Sequence, residues 1–361
     1  MLKLTRSLLR WYEKKGRKLP WRVSPYDLKA GKKPDPYKVW VSEIMLQQTT
    51  VGTVIPYFNQ FIEEWRNVDQ LSKVDQNEII SFWAGLGYYS RARNILKSAK
   101  DIMDKHEGEI PQEKNKLKSL PGIGEYTASA IRSIGFQKSD ITIDGNIERI
   151  ITRLFEIETP IRFSKRIIHN KAKLIFPKNR TGDFCQGLMD LASIICKPKK
   201  PICNECPISS FCESFKHGKT ESIPVKAPKK PKPVRKGFVY FVKNNDSKIL
   251  LERRQDQGLL GGLLAFPSSD WLENEPDLVF PIDAEWNQTF DKIMHEFTHF
   301  KLELKLVVGT VTKFHLKKSN FQVFDLHSFH ENQLPTLMRK VLRKGTLNSK
   351  DITIERLITQ T

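Results

Sequence analysis

Long uncharged apolar runs are scarce in this chain. The opening stretch, MLKLTRSLLRWYEKK, holds no apolar segment of signal-peptide length. Residues 44–62 carry no charge, but Gln, Thr, Gly, Pro and Asn interrupt them too often for a spanning helix. The expectation is a soluble, cytoplasmic protein with no membrane partner. Cysteine is also sparse. Its five copies all fall between 185 and 212, which excludes a disulfide framework spread along the chain. Acidic charge is deficient: 60 Lys+Arg face 41 Asp+Glu, a net of +19. The excess is uneven, at +13 over residues 1–216, +6 over 217–236 and zero over 237–361. That distribution suggests a polyanion such as nucleic acid as partner, against the plainer alternative of a solvated basic surface.

What is present is an ordinary globular balance of 39% hydrophobic and 28% charged residues, which argues against a disordered chain. At 361 residues, two domains are expected. From residue 1 to about 194, apolar residues recur at spacings of three and four, as in Ile95, Leu96, Ala99, Ile102 and Met103, and predict helices joined by short Pro- or Gly-bearing loops. The basic insert at 29–33 is expected to be a surface loop. Residues 217–236 hold four prolines and read as an extended basic linker. After 237 the pattern changes. GFVYFVKNNDSKILLERR predicts strand, turn and strand; KLELKLVVGTVTKFHL alternates; Pro335 to Leu342 looks helical. The second domain, 237–361, is expected to be α+β.

Two carboxylates have unusual settings. Val39 to Ile62 spans 24 residues with one charge, Glu43. Desolvation disfavours the ionised form, so a carboxyl among apolar neighbours holds its proton to higher pH and can act as a general acid. The alternative is a helix glutamate facing solvent. Asp144, in ITIDGNIERI, precedes a predicted helix, where aspartate is commonly an N-cap. Both roles are compatible, since a capped aspartate is held ionised by its hydrogen bonds. One protonated and one ionised carboxyl is an arrangement that breaks glycosidic bonds. Between them, Leu120-Pro-Gly-Ile-Gly-Glu-Tyr-Thr-Ala128 sets Gly122 and Gly124 at a turn before a helix. This is either a phosphate-binding hairpin or an ordinary helix connection. Four cysteines follow as Cys196-x6-Cys203-x2-Cys206-x5-Cys212. Their spacing suits a metal site, with zinc and an iron–sulfur cluster both open on physical grounds. Cys185 stands apart.

WVSEIMLQQT, GLGYYSRARN, LPGIGEYTASAI, IDGNIERI and the cysteine tail, in this order, resemble the MutY-type adenine DNA glycosylases of the helix-hairpin-helix superfamily. The resemblance implies an all-α helix-hairpin-helix domain at 1–216 with a [4Fe–4S] cluster loop at 196–212, then the linker, then a Nudix-like domain. It implies a monomeric, nucleoid-associated enzyme that removes adenine mispaired with 8-oxoguanine or guanine in double-stranded DNA, after flipping the base into a pocket. On that resemblance Glu43 protonates N7 of adenine and Asp144 stabilises the oxocarbenium-like sugar. Tyr126 and Asn146 support them, Gln48 and Tyr88 enter the duplex, Gly122 and Gly124 bind phosphate, and Cys196, Cys203, Cys206 and Cys212 hold the cluster. Relatives of endonuclease III type carry at the Tyr126 position a lysine that forms a Schiff base with the sugar. A phenol cannot do so, which implies a monofunctional glycosylase.

Leu259-Leu-Gly-Gly-Leu-Leu-Ala-Phe-Pro267 resembles the Nudix glycine segment, without the hydrolase ligands after it; Glu273 and Glu275 are isolated. His295-Glu-Phe-Thr-His299 resembles the loop that recognises 8-oxoguanine, assigning that role to Phe297, Thr298 and His299. Thr298 stands where relatives often carry Ser. Without the resemblance, 295–299 reads as a strand with partly exposed histidines. Two other readings compete: an endonuclease III-like lyase, which Tyr126 and the second domain oppose, and a zinc-bearing DNA-binding module without catalysis.

Overall fold

The computed structural model describes residues 2–228, 231–255, 258–287, 291–316 and 318–358. Backbone contacts divide the chain into two units, Met1–Pro228 and Lys229–Thr361. Among the described residues no helix is long and apolar enough to cross a membrane.

The first unit is helical: α1 (Leu2–Lys15), α2 (Pro25–Lys29), α3 (Pro36–Met45), α4 (Val51–Glu64), α5 (Val68–Ser72), α6 (Gln76–Phe82), α7 (Ser90–His106), α8 (Lys114–Ser119), α9 (Glu125–Ala130), α10 (Gly145–Leu154), α11 (Ile161–Lys173), α12 (Thr181–Ile194) and α13 (Glu213–Lys216). A π-helical turn, Ile131–Gly135, continues α9. The insert at 29–33 begins at the end of α2 and runs on exposed.

Side chains of this unit form two cores. One collects Trp40, Val41 and Ile44 of α3 with α4 to α9. The other joins Leu4 and Leu8 of α1 to α10, α11 and α12. Leu4, Leu8 and Tyr12 recur every fourth residue, so α1 buries one stripe. The first helix of the chain thus packs on α12, far away in sequence. Helix α3 lies between the cores, since its Val39 belongs to the second. Asp35 caps α3 by accepting from the Tyr37 N–H at 2.9 Å, and Pro36 fills its first turn. A helix apolar on all sides must be enclosed, and α3 is buried from Val39 through Met45.

Among the described residues the second unit is a mixed seven-stranded sheet with one long helix. Its strands are β1 (Val234–Asn244), β2 (Lys248–Arg253), β3 (Leu264–Ala265), β4 (Glu285–Asn287), β5 (Lys292–Glu296), β6 (Lys301–Val311) and β7 (Phe321–Asp325). The order is β3-β2-β1-β6-β4, with β5 also on β6 and β7 on β2. Strands β1 and β6 run parallel, from Val234 opposite Lys301 to Asn244 opposite Val311. Parallel pairs are normally covered on both faces, which accounts for the unbroken apolar run Phe238–Val242. Val239 and Phe241 face Leu337, Met338 and Val341 of α14 (Thr336–Ile358), while Phe238 and Tyr240 fill the opposite face.

Two expectations need correction. The segment read as a linker, 217–236, is shortened at both ends, and the division falls after Pro228 rather than at 216 and 237. Ile223 is buried; its carbonyl accepts from Arg153 Nε at 2.8 Å, and the Val225 carbonyl accepts from the Ile161 N–H at 3.3 Å. Strand β1 already begins at Val234. Proline content excludes regular helix, but an extended proline-rich chain can still pack. The helix expected at 335–342 continues to Ile358.

Candidate active site

Between the two cores of the helical unit lies a cavity of about 540 Å³, the size of a small-molecule site. Glu43, Gln48, Tyr126, Asp144 and Asn146 all line it. Glu43 arrives on α3, Tyr126 on α9 and Asp144 at the start of α10. The site therefore forms only where the two cores meet.

Glu43 is 7% exposed. Burial pushes its carboxyl up to about 7. The nearby Asp144 charge adds to the rise, while a hydrogen bond from the Tyr126 hydroxyl and the Arg22 charge oppose it. The Tyr126 phenol is driven well above its ordinary value, by burial first and then by the charges of Glu43 and Asp144. It therefore stays a neutral donor to Glu43.

Asp144 is the N-cap of α10. One oxygen accepts from the Ile147 N–H at 2.8 Å and the other from Asn146 Nδ2 at 2.8 Å. The N-terminal end of a helix favours an anion. Asn146 is held in turn by Arg149, whose Nη2 donates to Asn146 Oδ1 at 3.1 Å. The cap and the cavity-lining roles thus coincide, with the carboxylate fixed in place by its own helix.

Several cavity residues carried no mark in the sequence reading: Arg17, Trp21, Arg22 and Gln186. Arg17 and Arg22 are both anchored by Asp190 of α12. Arg17 donates through Nε at 2.6 Å and its backbone N–H at 2.8 Å, and Arg22 through Nη1 at 2.8 Å. Asp190 is fully buried. A signal for it existed, because it is the one charge from Phe184 to Cys196, the same pattern that singled out Glu43. Gln186 is buried, and among the described residues its Oε1 has no hydrogen-bond partner. With Leu19, Trp21, Val39 and Ile134 as apolar walls, the cavity offers a flat aromatic surface and guanidinium groups.

The other sequence-predicted residues lie outside this cavity. Tyr88 is 52% exposed in the turn before α7. Gly122 lies in the α8–α9 turn at φ +79°, where a side chain would be strained and its Cβ would meet Asn94 at 2.9 Å. Gln47 Nε2 reaches the Gly122 carbonyl at 3.4 Å, so this turn adjoins the cavity rim. Gly124 precedes α9 with open space around its Cα. In the second unit, Phe297 stacks on Trp271 with ring centres 5.9 Å apart and packs on Phe300. Thr298 and His299 are exposed in the β5–β6 turn. The motif read alternatively as a strand is thus a strand end followed by a tight turn, with the Phe297 N–H donating to the Phe300 carbonyl at 2.9 Å.

The four cysteines lie on the loop after α12, and burial pushes the thiols of Cys203, Cys206 and Cys212 up. Arg153 Nη1 donates to Cys196 Sγ at 3.2 Å, and backbone N–H groups near Ile208 and Phe215 donate to Cys206 and Cys212. Among the described residues no three ligands converge as on a single ion. Donors directed at sulfur fit an anionic thiolate-bound group. Cys185 is buried inside α12.

Comparison with known proteins agrees with this arrangement. The model of the HhH-GPD superfamily base excision DNA repair proteins matches residues 41–177, and the NUDIX domain model matches 238–344. The chain is 33% identical over 348 residues to an adenine DNA glycosylase of Buchnera aphidicola subsp. Baizongia pistaciae (strain Bp), covering 94% of this chain and 95% of that one. It is 29% identical to the adenine DNA glycosylase of Homo sapiens, covering 93% and 73%. The structure of a thermostable thymine-DNA glycosylase superposes with a TM-score of 0.53 at 27% identity, over 60% of this chain and 98% of that one. A helical repair domain and a Nudix-like domain in one chain, matched end to end by such a relative, leave one assignment: the chain belongs to the adenine DNA glycosylase family.

Proposed function

We propose that this enzyme hydrolyses the N-glycosidic bond of adenine mispaired with 8-oxoguanine or guanine in duplex DNA. One observation carries the reading: a desolvated, proton-holding Glu43 and a capped Asp144 line the same cavity. The flipped adenine enters that cavity. Glu43 delivers its proton to N7, which makes the base a better leaving group. Asp144 stabilises the positive charge that develops on the sugar, and water completes the hydrolysis. Trp21 supplies a stacking surface. Gln48 and Tyr88 enter the duplex around the vacated site, and the Gly122–Gly124 hairpin holds a backbone phosphate.

Base release on duplexes carrying A opposite 8-oxoguanine, G or T tests this reading. Free adenine is expected from the first two, with the strand intact until alkali is added. No release from either mispair would overturn it. Tyr126 replaces the amine that a lyase needs, so borohydride is expected to trap no covalent protein–DNA adduct. Efficient trapping would show a Schiff base and a different mechanism.

Cys196, Cys203, Cys206 and Cys212 are the residues that would hold a [4Fe–4S] cluster. Bound there, it would cross-link a loop bearing Lys197, Lys199 and Lys200. Arg153 and the backbone donors orient the sulfurs. The purified protein is expected to be brown; a colourless protein carrying one zinc would refute the assignment.

The second unit reads the opposite base through Thr298 and His299, with Phe297 anchoring their turn. Thr298→Ala is expected to lower the preference for 8-oxoguanine over guanine by about fivefold, the worth of one hydrogen bond of ~1 kcal/mol. Single-turnover rates on the two mispairs measure this. An unchanged ratio would remove Thr298 from lesion recognition.

A further inference from the structure

Arg91 is 5% exposed and has no carboxylate partner among the described residues. Its bonds go instead to three segments of the chain. Nη1 donates to the carbonyls of Ile44 at 3.1 Å and Met45 at 2.6 Å, in the last turn of α3. Nη2 donates to the carbonyls of Leu86 at 2.9 Å and Gly87 at 3.0 Å, and to Thr49 Oγ1 at 3.0 Å. The guanidinium carbon stands 5.5 Å from the Trp83 ring centre and 5.7 Å from that of Tyr88.

The terminal carbonyls of a helix lack partners within it and favour a cation, so the end of α3 is a natural seat for a guanidinium. The other two pieces are less regular. Gln48 has φ 59° and Tyr88 φ 50°, both in the left-handed region that side chains other than glycine rarely adopt. Gly85 at 99° and Gly87 at 70° share it. Such backbone persists only where its surroundings over-determine it. Arg91 bonds the residues beside both positions, Thr49 and Gly87, from a single rigid fork.

We propose that Arg91 is a positioning residue that locks the Gln48 turn and the Tyr88 turn to the end of α3, so that both side chains are presented together to the duplex. This rests on the reading that Gln48 and Tyr88 enter the DNA. A lysine would keep the charge but not the planar fork, and could not span both turns.

The test is Arg91→Lys in the full chain, with 2-aminopurine in place of the target adenine. Its fluorescence rises when the base leaves the stack. At saturating protein the variant is expected to give at least a fivefold smaller rise, and adenine release about tenfold slower, with binding to undamaged duplex unchanged. Arg91→Gln, neutral in the buried seat, serves if the lysine variant does not fold. A double variant, Gln48→Ala with Tyr88→Ala, completes the cycle: adding Arg91→Lys to it should cost less than twofold more. The same loss in both backgrounds, or normal extrusion by Arg91→Lys, overturns the proposal. Normal extrusion by the double variant would instead overturn the reading of Gln48 and Tyr88, and the role of Arg91 with it.

Discussion

Glu43→Gln abolishes useful adenine release while making the protein more stable. The amide fills the same space and can still accept from the Tyr126 hydroxyl, but it has no proton to give. General acids contribute about 10²- to 10⁴-fold, and a loss of about 10³-fold in single-turnover rate is expected. In the native enzyme the same rate should fall as pH rises through about 7, the point to which burial pushes the Glu43 carboxyl. The stability effect has the same origin. The folded state holds a proton on Glu43 up to about 7, whereas the unfolded chain releases it near 4.5. Stability therefore declines as pH rises between those values, and above about 7 the penalty is complete, on the order of 3 kcal/mol. Glutamine escapes it, so the variant should melt at higher temperature than the native protein at pH 8 and show no gain at pH 4. Retained adenine release, or equal melting at pH 8, would remove Glu43 from the role of buried acid.

Asp144→Asn separates capping from chemistry. Asparagine caps helices as well as aspartate, so the bond from the Ile147 N–H survives while the one from the exposed Asn146 Nδ2 loses its acceptor, and the melting temperature should fall only slightly. The negative charge facing the sugar is lost. Removing one preorganised electrostatic group typically costs about 10²- to 10³-fold in rate, and a loss of that size is expected with substrate affinity largely kept. Asp144→Ala would add a capping loss of about 1 kcal/mol, which makes the asparagine variant the cleaner experiment. If Asp144→Asn releases adenine at the native rate, the residue is a cap and nothing more.

Much of the site was legible before any fold was known. Glu43 stood out as the lone charge in an apolar segment, with a solvent-facing helix glutamate as the alternative; α3 is buried from Val39 through Met45, which rules that alternative out. Asp190 carries the same signature, but nothing in its sequence neighbourhood names Arg17 and Arg22 as its partners. The Gly122 turn was legible because its φ of +79° admits few residues other than glycine. Arg91 was not, since an arginine in an amphipathic helix looks solvent-facing until the carbonyls it bonds are seen. The burial at residues 217–228 was not legible for a related reason: proline content reports the absence of regular structure and says nothing of burial.

By itself, the amino-acid order determined the elements and their chemistry: helices with apolar stripes, a β-rich second half, a thiolate loop, and a carboxyl whose neighbours would keep it dry. Those properties are local, set by periodicity, capping and the cost of desolvation within a few residues. Only the tertiary structure decided that α1 packs on α12, that α3 lies between two cores, and that Glu43, Tyr126 and Asp144 share one cavity with Arg22 and Gln186. Such meetings depend on packing between segments up to about 170 residues apart, and no short-range rule encodes them.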